Sequence, residues 1–122
     1  MPDPGKVNLR EKFALFQDRF APKIAGELNG QQVKLVKAKG AFVWHHHELE
    51  DELFLVIEGR LRMEFRSHAV EVGPGEFIIV PRGVEHRPVA DEEVHLLLFE
   101  PAGTLNTGAT GGEMTVTELQ RI

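Results

Sequence analysis

Beyond about residue 22, glycine and proline residues divide the chain into short segments that are rich in β-branched and aromatic side chains. Asn29-Gly30 is a strong signal for a two-residue hairpin, and the stretches 73–75 (Gly-Pro-Gly) and 81–83 (Pro-Arg-Gly) interrupt the chain sharply. Strands are predicted at residues 23–28, 32–39, 42–46, 52–58, 60–66, 69–72, 77–80, 86–89 and 93–99. The sequence therefore predicts an all-β protein, built as a sandwich or a barrel.

A single short helix is predicted before these strands. Asn8 is a good N-cap residue, and Leu9, Phe13 and Phe16 follow it at helical spacing. We expect the helix to run to about Phe16, because Pro22 lies beyond its end.

Two kinds of apolar pattern occur among the predicted strands. In residues 60–66, apolar and charged side chains alternate, which is typical of a strand with one buried and one exposed face. Residues 53–57 and 94–99 are almost continuously apolar, which is typical of strands that are covered on both faces.

The length of the chain favours one domain, which we place at residues 1–122. From about residue 102 the composition changes to glycine, threonine and alanine, and this change predicts a flexible loop or tail. Val116 and Thr117 restore β-branched character near the end, so residues 113–122 could add a strand to this sheet or to that of a neighbouring subunit.

Composition excludes several classes of site and partner. With no cysteine, the chain cannot form disulfides, thiolate nucleophiles, zinc ribbons or iron–sulfur clusters, so any metal must bind through nitrogen and oxygen. The net charge of -5 argues against a nucleic-acid partner. No apolar run approaches the roughly 20 residues that cross a bilayer, and the N-terminus lacks the apolar stretch of a signal peptide. We therefore predict a cytoplasmic protein without a membrane partner.

Three histidines and one glutamate are the candidate metal ligands. His45 and His47 are two residues apart on a predicted strand, so both imidazoles point to the same face. Glu52 opens the next strand, where a hairpin could bring its carboxylate beside them. His86 follows the turn at 81–83, which can direct its side chain toward the barrel interior. This set suits one divalent transition metal per subunit, namely Zn, Fe, Mn, Ni or Cu, and an octahedral ion would keep two positions open.

The other histidines have simpler interpretations. His46 points away from its neighbours and is interpreted as a surface or interface residue, and His68 as a solvated turn residue. His95 lies in an apolar segment, where a hydrogen-bonded core imidazole is expected. Several aromatic residues could line a ligand site or pack in the core, and they are Phe42, Trp44, Phe54 and Phe77.

Residues 40–59 resemble the first motif of the cupin family. In that motif a glycine precedes His-x-His, a glutamate follows after three or four residues, and a second glycine closes the segment. Here those positions are Gly40, His45, His47, Glu52 and Gly59. The match departs by one residue, because four residues separate the first glycine from the first histidine where the family usually has five.

Residues 75–90 are similar to the second cupin motif, in which Gly, Pro-x-Gly, His and Asn follow one another at fixed spacing. Gly75, Pro81, Gly83 and His86 occupy the first four of these positions. Ala90 stands where the family has asparagine, which is not a metal ligand there.

The resemblance implies a cupin jelly-roll β-barrel with the metal in its mouth, commonly as a homodimer. It also implies a metal-dependent isomerase, lyase or dioxygenase that acts on a small carbonyl or hydroxy compound or on a sugar-like acid. Small cupins of this type are often labelled mannose-6-phosphate-isomerase-like, but no phosphate-binding cluster of Lys and Arg supports a sugar phosphate here.

Catalytic residues are not identified at this point, since Glu64, Glu85 and His95 are candidates for a general acid or base by residue type alone. The alternative function is a non-catalytic module that binds or senses a metal or a small molecule. A pocket with several converging polar groups would favour the enzyme, and an apolar or closed pocket would favour the binding module.

Overall fold

The architecture is that of a computed structural model, which describes residues 5–122. In chain order, the helix and strands of these residues are α1 (Leu9–Phe13), β1 (Lys23–Leu28), β2 (Gln31–Ala41), β3 (Glu52–Glu58), β4 (Leu61–Phe65), β5 (Ala69–Val72), β6 (Phe77–Val80) and β7 (His86–Pro101). All strand pairs are antiparallel: the order is β1-β2-β7-β3-β6, while β4 pairs with both β7 and β5. The prediction of an all-β barrel with one short N-terminal helix is confirmed.

The 16-residue strand β7 joins the two parts of the sheet. Its residues 86–89 pair with β4, and its residues 89–101 pair with β2. The prediction of two separate strands, at 86–89 and 93–99, was wrong. Between the pairs Ala38–Val94 and Gly40–Ala90, residues 91–93 of β7 lie opposite a single residue of β2, so a bulge in β7 lets it bend and remain one strand.

The ligand segment after β2 is extended but is not the strand that was predicted at 42–46. Gly40 has a φ of 84°, a left-handed conformation that favours glycine and turns the chain out of β2. Beyond it, His45 makes one isolated antiparallel bridge with His86. The two residues exchange backbone hydrogen bonds of 3.0 and 2.9 Å. The start of β7 is therefore held directly against the His-x-His segment.

Helix α1 begins where the sequence predicts, because the Asn8 side chain accepts a hydrogen bond of 3.0 Å from the backbone N–H of Glu11. It ends at Phe13 rather than near Phe16. The carbonyl of Phe16 accepts a hydrogen bond of 2.7 Å from the Lys37 ammonium, which holds this residue on the sheet outside the helix. Within residues 5–122, no helix has the length and apolar character that a membrane span requires.

The barrel interior is filled by side chains from β2 to β7. Leu61, Met63, Val56 and Val94 are fully buried in this core. The predicted alternation in β4 is confirmed, since Leu61 and Met63 are buried whereas Arg62 is half-exposed. Gly59 allows the turn from β3 to β4, because a Cβ there would lie 2.8 Å from the backbone oxygen of Glu93.

Residues 102–122 run along the barrel and end beside β1. The backbone N–H of Ala109 donates to the carbonyl of His46 at 3.2 Å, so residues 102–122 lie against the His-x-His segment. Near the end, Ile24 exchanges hydrogen bonds with Gln120 and Ile122 and makes one isolated parallel bridge with Arg121. The flexibility of this segment and the single-domain organisation stay predictions.

Candidate metal centre

The four predicted ligands meet at one point inside the barrel. Each of His45, His47, Glu52 and His86 offers one donor atom, and these four atoms all lie within 4.8 Å of one another. The exposed fraction is 2% for His45, 3% for His47 and Glu52, and 0% for His86. The four residues come from three separate segments of the chain, and the fold brings these segments together.

The backbone explains why these side chains converge. His45 and His47 are buried whereas Trp44 and His46 are half-exposed, so the predicted alternation of the segment is confirmed. Glu52 is the first residue of β3 and points to the same interior. The carbonyl of His47 accepts a hydrogen bond of 2.7 Å from Gly83, in the turn that precedes His86.

Two of the imidazoles are oriented by the backbone. Nδ1 of His45 lies 2.9 Å from the carbonyl oxygen of Val43, and Nδ1 of His86 lies 2.9 Å from that of Val84. A carbonyl can only accept, so each Nδ1 carries the proton and each Nε2 keeps a lone pair. The same arrangement orients histidine ligands in many metal sites.

The remaining donor atoms have no hydrogen-bond partner. Both ring nitrogens of His47, Nε2 of His86 and Oε1 of Glu52 are buried and unpaired. His47 Nε2 is 3.2 Å from Glu52 Oε1, yet the two groups are not aligned for a hydrogen bond. Unpaired buried polar atoms cost about 1–3 kcal/mol each unless a cation binds them. The donor set therefore fits a divalent transition metal, bound by imidazole nitrogen and carboxylate oxygen.

The protonation states in the cluster favour cation binding. Burial, with the neighbouring His86 imidazole, lowers the pKa of His45 to about 4, so His45 is neutral at neutral pH. Burial opposes ionisation of Glu52, but the adjoining Glu100 carboxyl and the nearby imidazoles outweigh it and lower the pKa of Glu52. A neutral His45 imidazole and an ionised Glu52 carboxylate are the forms that bind metal.

A buried pair of Lys34 and Glu100 lies next to the ligand Glu52, and no role was predicted for this pair from the sequence. Lys34 Nζ donates to Glu100 Oε1 at 2.8 Å and to the carbonyl of Thr104 at 3.3 Å, and both paired side chains are 1% exposed. Burial and the adjacent Glu52 carboxylate raise the pKa of Glu100 well above its usual value. Glu100 in its protonated form can therefore donate to Glu52.

Beside the cluster lies a small cavity of about 40 Å³, which opens into a wider space of about 430 Å³ that includes solvent at its mouth. His45 and Glu52 form part of its lining, and the rings of Phe20, Phe42 and Phe54 form much of the remainder. Of the four aromatic residues considered from the sequence, Phe42 and Phe54 line this cavity. Trp44 lies outside it, and Phe77 is 60% exposed on the outer face of β6.

The acid–base candidates considered from the sequence lie outside this cavity. Glu64 pairs with Arg87, Glu85 pairs with Arg66, and His95 contacts carboxylates on the outer face of the sheet. His95 also stacks on Phe13 of the helix, with ring centroids 4.6 Å apart. The expectation that His95 is a core imidazole was therefore wrong. None of these three residues is placed to act on a ligand in the cavity.

Known proteins share this fold and sequence pattern. Residues 32–100 match the family model described as the cupin domain. A solved cupin-2 domain protein from Shewanella frigidimarina has a TM-score of 0.77 at 43% identity, covering 78% of this chain and 93% of that one. The NMB1881 protein of Neisseria meningitidis has a TM-score of 0.74 at 29% identity, covering 80% of this chain and 100% of that one.

A curated relative shows the same pattern over a shorter stretch. The uncharacterized protein YdbB of Bacillus subtilis is 37% identical over 72 residues, which is 58% of this chain and 64% of YdbB. The match thus spans just under two thirds of that relative. Since the family model covers more than half of the chain and the barrel carries both motifs, the chain belongs to the cupin family.

Proposed function

We propose that the chain is a cytoplasmic metalloenzyme that acts on a small carbonyl or hydroxy compound. His45, His47, Glu52 and His86 would hold one divalent transition metal. The observation that carries the proposal is a set of buried donor atoms without partners, placed beside a small, largely apolar cavity that opens to solvent. The metal would act as a Lewis acid that polarises a ligand oxygen.

The residues around the cluster would orient the ligands and exclude water. The carbonyls of Val43 and Val84 hold two imidazole rings in position, and Glu100 supports Glu52. The aromatic rings beside His45 keep the approach to the centre apolar, with Phe42 edge-on to His45 at 5.4 Å. An apolar surrounding strengthens every electrostatic interaction at the centre.

The cavity favours some reaction types over others. Isomerisation moves a proton between two atoms of the substrate and needs a positioned acid or base. Among the described residues outside the four predicted ligands, the cavity lining provides no side chain that titrates near neutral pH. This lining supports a lyase, in which the metal would polarise a substrate oxygen, or a dioxygenase, in which it would activate dioxygen, better than a sugar isomerase.

We expect turnover of an enolisable small compound by the metal-loaded protein. The test loads metal-free protein separately with Fe(II), Mn(II), Ni(II), Cu(II) and Zn(II), then follows oxygen uptake and products with acetylacetone and short 2-oxo acids. Turnover with at least one metal, and none in metal-free protein or in a Glu52→Gln variant, supports the enzyme. Binding of these compounds without turnover by any loaded form would instead support the second candidate.

The second candidate is a non-catalytic module that binds a small molecule at the metal. The nearly apolar cavity favours it, because no described lining residue other than the predicted ligands could donate or accept a proton during catalysis. Asn106, the remaining polar lining residue, already uses its amide to bind the carbonyls of Phe20 and Met114 and the N–H of Val116.

We also propose that a second copy of this chain is the protein partner. Strand β6 is an edge strand, and its outer side exposes Phe77 (60%) and Ile79 (53%). Half-buried Leu55 and Leu53 lie opposite them on β3, so the apolar patch extends across two strands. An apolar patch on an edge strand is suited to a two-fold interface, in which each subunit presents the same surface.

Charge on this patch should break the dimer. We expect the wild-type protein to sediment as a dimer and Ile79→Glu as a monomer, because a carboxylate would be buried at the centre of the interface. The control is Leu49→Glu, which places the same charge at a leucine that is 78% exposed elsewhere. A monomeric wild type, or an Ile79→Glu dimer of unchanged stability, would overturn the proposed interface.

A further inference from the structure

The cavity also indicates the substrate class, an inference that rests on the proposed function. We propose that the site takes a small compound with an apolar skeleton and one anionic or enolisable oxygen group, and that it rejects sugars and sugar acids. The residues that line the cavity support the apolar skeleton and the rejection of sugars. The charge of the metal-loaded centre supports the single anionic oxygen group.

The walls cannot satisfy a polyhydroxylated ligand. They are formed mainly by Phe20, Phe42, Phe54, Leu96 and Leu98, and no Lys, Arg, Ser or Thr among residues 5–122 lines the cavity. The amide in the lining, Asn106, donates to two backbone carbonyls and accepts from one backbone N–H. Every sugar hydroxyl that left water for this cavity would lose its hydrogen bonds without replacement.

The aromatic rings of the wall contact one another and the imidazoles of the centre. The rings of Phe20 and Phe42 stack with centroids 5.0 Å apart, and Phe42 in turn contacts the His45 imidazole edge-on. Phe54 reaches the opposite imidazole, His86, with centroids 6.1 Å apart. A ligand skeleton at the centre would therefore lie among aromatic faces, where apolar groups are favoured.

The charge of the metal-loaded centre favours a ligand with a single negative charge. A divalent cation held by the Glu52 carboxylate and three neutral imidazoles leaves one net positive charge. Lys34 is 1% exposed and hydrogen-bonded to Glu100, and its side chain does not line the cavity. One carboxylate or enolate would neutralise this charge, whereas a phosphate dianion would remain unbalanced in an apolar surrounding.

A matched pair of probes separates the skeleton from the head group. Cyclohexanecarboxylate and D-glucuronate share a six-membered ring and one carboxylate, and the sugar acid adds a ring oxygen and hydroxyl groups. Calorimetric titration of metal-loaded protein should give a dissociation constant at least about 100-fold lower for cyclohexanecarboxylate, because several hydroxyls would be buried without partners. Metal-free protein should bind it more weakly than the loaded form.

Variants of the wall check that the binding occurs in this cavity. Phe20→Ser should weaken binding of cyclohexanecarboxylate by roughly tenfold while the bound metal stays at one per chain. Phe20→Leu, which keeps the wall apolar, should retain most of the affinity.

The outcomes distinguish the two proposals. If D-glucuronate binds as tightly as cyclohexanecarboxylate, or if Phe20→Ser leaves the affinity unchanged, the substrate class is wrong and small-molecule binding at the centre still stands. If neither probe binds to the metal-loaded protein, the proposed function itself is contradicted.

Discussion

Replacement of His86 by alanine should lower the affinity for a divalent transition metal by at least about 100-fold while the barrel stays folded. His86 is fully buried, and its Nε2 is one of the unpaired donor atoms of the cluster. The barrel core is built largely from other side chains, so the fold should survive the loss of this one ring. The same result is expected for His47→Ala. Metal content after dialysis, together with circular dichroism, measures both effects.

Two controls make this result specific. His46→Ala removes an imidazole from the same segment, but one whose side chain is 37% exposed and directed away from the cluster, so the metal should be retained. Glu52→Gln should lose metal, whereas Glu48→Gln, which changes a carboxyl group that is 72% exposed in the same segment, should keep it. Full metal occupancy in His86→Ala or His47→Ala would refute the ligand assignment.

Lys34→Met should destabilise the metal-free protein by about 3 kcal/mol. The change removes the ammonium group that pairs with the buried Glu100 carboxyl group, and it leaves Glu100 Oε1 and the carbonyl of Thr104 without their donor. The measurement is urea unfolding of metal-free protein, so that loss of metal does not contribute. Lys39→Met, at an exposed position of the same strand, should change the unfolding free energy by less than about 0.5 kcal/mol.

The double variant Lys34→Met/Glu100→Met tests the coupling of the pair. Once the partner carboxyl group is also replaced by an apolar side chain, no uncompensated polar group remains. The loss of unfolding free energy in the double variant should therefore be at least about 1.5 kcal/mol smaller than the sum of the losses in the two single variants. Additive effects of the two single changes would mean that the buried contact between Lys34 and Glu100 is not energetically coupled.

The ligand cluster could be predicted because its signals are local. The period of two in a strand places His45 and His47 on one face whether or not the segment is fully paired. The structure pairs it at a single bridge, and the side chains still alternate as expected. The turn before His86 is likewise marked by proline and glycine, so its position could be predicted without knowing the partner strands.

Features that depend on pairing between distant strands were missed. Two strands were predicted at 86–89 and 93–99, whereas a bulge at residues 91–93 lets β7 continue as one strand against β2. The role of Lys34 depends on Glu100, which lies 66 residues away and on a neighbouring strand. In the sequence, Lys34 shares the alternation of buried Val36 and Ala38, and this register was the available sign that its side chain points inward.

The residues that line the cavity could not be predicted from the sequence either. Phe42 and Phe77 are alike in the sequence, since both lie in short apolar segments, yet one lines the cavity and the other is exposed on an edge strand. Phe42 is held beside β7 by the hydrogen bond from its backbone N–H to the carbonyl of Pro88, and Phe77 lies on the edge strand β6; no local pattern reports either placement. For the same reason the closure of the wall by Phe20 and Asn106, from two connecting segments, could not be anticipated.

The most direct test of the metal centre is anomalous X-ray scattering from crystals of the protein loaded with zinc. We expect one anomalous peak per chain, within roughly 2.0–2.2 Å of nitrogen atoms of His45, His47 and His86 and of an oxygen atom of Glu52. A peak at another location, or a crystal soaked to saturation with no peak between these four side chains, would contradict the assignment of this cluster as the metal centre.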